Sequence, residues 1–381
     1  GSGIPNLSMV KASTRTEGSY PRARSQGIAV ARAAALVMIA FAASRAVGLV
    51  RQMVFGFYFG TGSEMSAYVA ASRIPEMLYL VMAGGALGSA FIPTFTARLT
   101  REDPKAAWRL ASAIINLLMV FLVPLSLLTI LVAPWLVRTV VVPKFSPALQ
   151  AQTIALMRVM LLSTAIFGVS GIVMGVLNAH QHFLLPAIAP IVYNLILIAG
   201  AVLGGLTNVG ILGPAWAMVV GAVFHLLVQV PGLIHYQAHY DPVLGLDDPH
   251  VREVGRLMGP RVLGVAAVQL NFVVTNNLAS GLGGGAIAAL DYAWRLMLLP
   301  QGIFAQAVGT AVFPTFAAQA AAGDTKALRQ TLSSMVVTVI AVTFPATVGL
   351  MVLGKPIIAV IFERGAFTNT SVAAVAGALS L

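Results

Sequence analysis

Long apolar stretches separated by short polar connections dominate the chain, at roughly residues 28 to 59, 65 to 97, 107 to 133, 151 to 178, 183 to 205, 210 to 235, 257 to 281, 286 to 318 and 327 to 353, with a tenth beginning near 370. About 20 consecutive apolar residues cross a bilayer as a helix, so the pattern predicts an all-α polytopic membrane protein of about ten helices. The first, second and eighth runs are longer than a crossing requires and should be tilted, bent or extended past the bilayer, with Gly48, Pro75 and Pro300 as the natural bend points.

The pattern also repeats. Phe91-Ile-Pro-Thr-Phe-Thr-Ala97 returns as Val312-Phe-Pro-Thr-Phe-Ala-Ala318, and 314 minus 93 for the shared proline gives an offset of 221. At that offset Asp103 meets Asp324, Lys105 meets Lys326, Ser112 meets Ser333 and Pro124 meets Pro345. Six helices separate the copies, so both enter the membrane in the same direction. Two parallel-repeat helical lobes around a central cavity follow, related by a pseudo-two-fold axis along the membrane normal. The expected organisation is a tail over 1–27, a six-helix N-terminal lobe over 28–235, a cytoplasmic connection over 236–256 and a C-terminal lobe over 257–381. By the same offset the second copy would run to about residue 456, so that lobe is expected to be truncated.

Composition narrows the function classes. Of 381 residues 58% are hydrophobic and only 9% charged, with a mean hydropathy of +0.89, against about 25% charged in soluble domains. The absence of Cys removes thiol nucleophiles, disulfides and Cys-ligated zinc. The net charge of +11 belongs to loops and lipid phosphate rather than to nucleic acid, because no soluble basic domain exists to bind it. Loop cations gather in the tail and in the 98–109, 236–256 and 319–329 connections, which places that side in the cytoplasm. Arg138 and Lys144 in the 134–150 connection fit least well. Residues 1–8, ahead of Met9, read as an expression scar, and the rest of the tail as disordered.

Arg45 and Arg51 lie inside the first apolar run, Arg73 inside the second, and Asp291 and Arg295 inside the eighth. An arginine at the bilayer centre costs about 2.5–3.5 kcal/mol even on a lenient scale, so these side chains require a wet cavity or a counter-ion. Asp291 is the one nearby acid, and the surplus positive charge points to an anionic ligand. Snorkelling to an interface is the bland alternative, and the preferred one for Arg158. Gly168-Val-Ser-Gly171 with His225 resembles the serine and histidine of rhomboid intramembrane proteases, but small residues at that spacing also pack helices, and a two-fold repeat has no place in a rhomboid core. His180, His182, His235, His239 and His250 lack metal-ligand spacing and read as solvated loop residues. The intramembrane asparagines, Asn194 among them, read as helix–helix hydrogen bonds.

Seven segments in order resemble the MurJ/MviN lipid II flippase family of the multidrug/oligosaccharidyl-lipid/polysaccharide exporter superfamily. They are Ser44-Arg-Ala-Val-Gly-Leu-Val-Arg51, Phe59-Gly60, Ala90-Phe-Ile-Pro93, Leu177-Asn178 with Phe183 to Pro190 and Asn194, Met258-Gly-Pro260 with Leu263-Gly-Val265, Tyr292-Ala-Trp-Arg-Leu-Met297 with Leu299-Pro300, and Phe362-Glu-Arg-Gly-Ala-Phe-Thr368. The resemblance implies two six-helix lobes around a V-shaped cationic cavity, and a flippase that moves a polyprenyl-pyrophosphate-linked peptidoglycan precursor across the bacterial cytoplasmic (inner) membrane by alternating access, without covalent chemistry. It implies substrate-binding arginines at Arg45, Arg51 and Arg295, with Arg73 at a usually basic position. The partners expected are that anionic lipid and membrane lipids, with the protein a monomer whose N-terminus is cytoplasmic. No cofactor is expected beyond a coupling ion or the membrane potential. An exporter of another glycan lipid, or a non-transporting scaffold of the same fold, is the alternative. Acids common in the family are replaced here at Ser66, Trp294 and Leu298, and its paired arginines and Glu-Gly by Tyr79, Leu80 and Gly84. The expectation is a less zwitterionic cavity.

Overall fold

The computed structural model describes residues 21–80, 91–100, 103–301 and 306–380, and every regular element among them is helical. Helix α1 spans Pro21–Phe59, so residues 21–27 of the expected tail are helical; the rest of the tail lies outside the described residues. Proline at the first helical position and the Ala, Arg and Gln that follow suit a helix start. The second apolar run is described as two helices, α2 (Ser63–Tyr79) and α3 (Ile92–Thr100). Then come α4 (Pro104–Leu136), prolonged by a π turn over Val137–Val141, α5 (Pro147–Ala179), α6 (Leu184–Leu206), α7 (Leu212–Leu227) and α8 (Val230–His235). The second lobe holds α9 (Pro249–Ala279), α10 (Ala286–Pro300), α11 (Gln306–Ala321), α12 (Thr325–Phe362) and α13 (Asn369–Leu379). Pro75 is accommodated inside α2, α1 runs through Gly48 uninterrupted, and Pro300 ends α10. Seven helices among the described residues are long and apolar enough to cross a membrane. Exposed Phe121, Leu128, Leu131 and Trp135 on α4 make a face suited to lipid rather than water.

The repeat reappears in the elements. Pro104 opens α4, and 104 plus 221 is 325, the first residue of α12; Pro147 opens α5, and 147 plus 221 is 368, one residue before α13. The chemistry of the starts matches too. Asp103 accepts from the Ala106 N–H at 2.9 Å and Asp324 from the Ala327 N–H at 2.9 Å, each satisfying an orphan donor of a first turn.

The lobes are stitched together where α1 ends. The Ala366 N–H donates to the Phe57 carbonyl at 2.8 Å, and Thr61 Oγ1 donates to Ser371 Oγ at 2.8 Å. Gly60 (φ +59°) and Gly365 (φ +60°) make this approach feasible, because a Cβ at either would run into backbone oxygen of the opposite turn. Ser66 of α2 adds a third stitch, accepting from the Ala288 N–H at 3.1 Å. Gly285 at the α10 N-cap has no side chain with which to satisfy that donor. The acid missing at position 66 is thus answered by a hydroxyl with a structural partner.

At the other end, the 236–256 connection is shorter than the hydropathy suggested, since Asp248 caps α9 and Pro249 opens it. Arg98 of α3 donates to both Asp248 carboxylate oxygens at 2.9 Å. Burial pushes the Asp248 carboxyl up, but the His250 N–H and Arg98 outweigh it and hold the group below its ordinary range. A carboxyl with a lowered folded-state pKa contributes stability above its unfolded pKa and loses it as pH falls through the folded value. Acid should therefore loosen this tie, and Asp248→Asn should flatten the acid limb of a thermal-melt series; an unchanged limb would assign the sensitivity elsewhere. The solvated role expected of the histidines fails for two of them. His180 lies against Tyr236 (centroids 4.2 Å apart) and stacks with Trp108 (5.9 Å), while His250 joins the Arg98 tie.

Candidate functional site

Helical periodicity selects the face of α1 that meets the second lobe. Ser44, Arg45, Gly48, Arg51 and Gln52 fall at spacings of three or four, so they share one side of the helix. Opposite them Tyr292, Arg295, Leu296 and Leu299 form the matching face of α10. Together these faces enclose a cavity of about 290 Å³ that Arg45, Arg51 and Arg295 all line, although 244 residues separate Arg51 from Arg295. Arg45 is exposed, whereas Arg51 and Arg295 are partly buried. A second cavity of about 160 Å³ lies behind them, with Arg51, Gln52 and Arg295 lining both.

Each inner guanidinium is held by a neutral or acidic partner. Arg51 Nη1 donates to Asn194 Oδ1 of α6 at 2.9 Å, and the Asn194 amide is oriented by its own donation to the Pro190 carbonyl at 2.8 Å. Arg295 donates through Nε to Asp291 Oδ2 at 2.6 Å, one helical turn back. Using Nε for that bond leaves both terminal nitrogens of Arg295 for a ligand. Asp291 Oδ1 accepts from Arg73 Nη2 at 2.8 Å, so one carboxylate with almost no exposed surface joins the two lobes.

Arg73 is the expected site residue that is not brought to the wall of either cavity. It sits behind Asp291, 3.5 Å from Glu76 and with its guanidinium 4.9 Å from the Phe272 ring centroid. Snorkelling explains neither Arg51 nor Arg73, which are held between helices. It fits Arg158, which is exposed and donates to the Ile130 carbonyl at 3.2 Å.

Trp294, where the resemblance expects an acid, lines neither cavity. Residues 291 and 295 are one turn apart and share a face, while 294 points about 60° away from the first and about 100° from the second. Trp294 accordingly is exposed and packs edge-on against Phe272, and Asp291 supplies the carboxylate from the preceding turn. Sequence reasoning assigned no site role to Glu76, Gln52 or Tyr292, although Tyr292 opens one of the family-like segments. Only Glu76 carried a local signal, an acid three residues after Arg73.

The serine–histidine pair does come together. Ser170 Oγ and His225 Nδ1 are 2.7 Å apart, and Gln229 Nε2 donates to Ser170 Oγ and to the His225 carbonyl, each at 2.8 Å. Ser170 and Gln229 have no exposed surface, however, and a nucleophile must be reached. The cluster binds α5 to the α7–α8 junction. Ser170→Ala should cost about 1–3 kcal/mol of stability by leaving buried groups unpaired. A fluorophosphonate should leave the parent unlabelled, and labelling at Ser170 would reinstate the hydrolase reading.

Known proteins are similar to this chain in sequence and fold. The family model for "Lipid II flippase MurJ" matches residues 55–381. The lipid II flippase MurJ of Burkholderia cenocepacia is 31% identical over 346 residues, covering 88% of this chain and 66% of its own, and a probable lipid II flippase MurJ of Rhizobium tropici is 30% identical over 346 residues, covering 89% and 64%. The chain thus spans slightly less than two thirds of these curated relatives. A solved structure, "Lipid II flippase MurJ, inward closed conformation", superposes with a TM-score of 0.77 at 28% identity, covering 91% of this chain and 71% of that one. An inward-facing multidrug resistance MATE transporter shares the fold at 15% identity, with a TM-score of 0.70 and coverage of 87% and 75%. With the family model matched from residue 55 onward on a multi-pass helical fold built around a cationic cavity, the chain belongs to the lipid II flippase MurJ family.

Proposed function

We propose that this cavity takes the pyrophosphate head-group of a polyprenyl-linked peptidoglycan precursor, the lipid II class, and that the chain moves it across the bacterial cytoplasmic membrane by alternating access between the lobes. The observation that carries the proposal is the convergence of Arg45, Arg51 and Arg295 from opposite lobes on one cavity. Guanidinium groups bind phosphate oxygens in pairs and stay charged when partly desolvated. A wall with three arginines also disfavours a cationic drug as cargo. Charge asymmetry supports a cytoplasmic N-terminus, which places the stitched turns around Gly60 and Gly365 at the outer face. The prenyl tail would lie in an apolar groove between helices, with the protein acting as a monomer.

Native mass spectrometry of the purified protein tests the reading. Undecaprenyl pyrophosphate should remain bound where undecaprenol, with the same tail and no phosphate, does not. Equal retention of both would reduce the protein to a lipid-binding scaffold.

A further inference from the structure

We propose that Gln52 and Tyr292 form an uncharged hydrogen-bonding subsite beside the guanidinium groups, which takes the sugar end of the head-group. The inference rests on the pyrophosphate-lipid reading and adds to it what distinguishes a glycan-bearing lipid from a bare one. Both residues line the cavity, one from each lobe. Gln52 is 7% exposed and Tyr292 1%, yet Gln52 Nε2 and the Tyr292 hydroxyl have no hydrogen-bond partner. Their charged neighbours differ, since Arg51 already has one partner in Asn194 and Arg295 one in Asp291.

Packing does not account for the hydroxyl. The Tyr292 ring lies edge-on to Phe362 and to Phe367, each 5.3 Å between centroids, surroundings that a phenylalanine would fill equally well without burying an unpaired polar group. The hydroxyl stands 3.6 Å from where a Cβ on Gly56 would be, and Gly56 follows Gln52 by one turn of α1. Gly56 lines neither cavity, so the hydroxyl sits at the edge of the wall one turn from the Gln52 amide, and both atoms are covered in this conformation, so a ligand reaches them only when α1 and α10 part. An amide N–H donates and a phenol both donates and accepts, so the pair suits neutral oxygens such as sugar hydroxyls or an acetamido carbonyl. Phosphate is already served by the arginines. A sugar bonded to both would bridge the lobes, engaging α1 and α10 at once.

Affinities of the purified full chain for undecaprenyl pyrophosphate and for its glycan-bearing form, lipid II, separate the roles. Gln52→Leu and Tyr292→Phe should each weaken the glycan lipid about 3- to 10-fold, the span of one neutral hydrogen bond, and leave the sugar-free lipid at parental affinity. Tyr292→Phe should also raise the thermal midpoint, because it removes an unpaired hydroxyl. A merely structural tyrosine would not combine higher stability with weaker glycan binding. Equal weakening of both lipids, or of neither, would overturn the subsite. Arg51→Ala, by contrast, should weaken both lipids; parental affinity for both would bring down the pyrophosphate reading itself.

Discussion

Arg51→Ala and Arg295→Ala are each expected to lower affinity for undecaprenyl pyrophosphate by about 10- to 150-fold. A charge-assisted hydrogen bond is worth roughly 1.5–3 kcal/mol, and every 1.4 kcal/mol is a factor of about ten. Lysine at either position should recover only part of the loss, because a point charge replaces a planar two-pronged donor. For Arg295 the deficit should be the clearer one, since its Nε is engaged by Asp291 and the ligand must be met by the terminal nitrogens that lysine lacks. Arg45→Ala should cost less, because an exposed side chain gains less from each contact. Titrating the lipid against each variant in one detergent checks the order, and lysine variants equal to the parent would reduce the arginines to a diffuse positive field.

Asp291→Ala should be the most destabilising single change at the site, by about 3 kcal/mol. Removing one member of a buried ion pair strands the other charge, and Asp291 serves two arginines at 2.8 and 2.6 Å. Arg73 carries most of the penalty, its side chain being 12% exposed against 38% for Arg295. An apolar pair, Arg73→Met with Asp291→Leu, should recover much of the loss, as exchanges of whole buried pairs often do. The double-mutant cycle would then show strong coupling between residues 218 apart in sequence. Independent, additive effects would mean that the lobes are not joined through this carboxylate.

Much of the architecture was legible because its signals are local. Apolar run length gave the spans, and the 221-residue repeat anticipated the starts of α12 and α13 through nothing more than Pro-Thr-Phe, an Asp cap and a shared proline. The desolvation cost of intramembrane arginine singled out Arg45, Arg51, Arg73 and Arg295 before any geometry was known, and three of the four line the cavity. What escaped the sequence lies in pairings between distant segments. Nothing near Ser66 signals that its hydroxyl accepts the Ala288 N–H 222 residues away, and nothing near Arg51 marks Asn194 as its partner. Arg73 had the right charge in the right kind of helix, but its rotation on α2 turns it toward Asp291 rather than the cavity. Gln52, and any role for Tyr292 beyond its place in a family-like segment, escaped for another reason: a neutral polar residue in an apolar run attracts attention only when its partner is known to be missing.

A structure of the protein with undecaprenyl pyrophosphate bound would locate the head-group outright. Both phosphates should lie inside the cavity of about 290 Å³, with oxygens within hydrogen-bond distance of the Arg51 and Arg295 guanidinium groups and Arg45 at the opening. A head-group seated outside that cavity, on the basic surface connections or among lipid-facing helices, would contradict the proposed site.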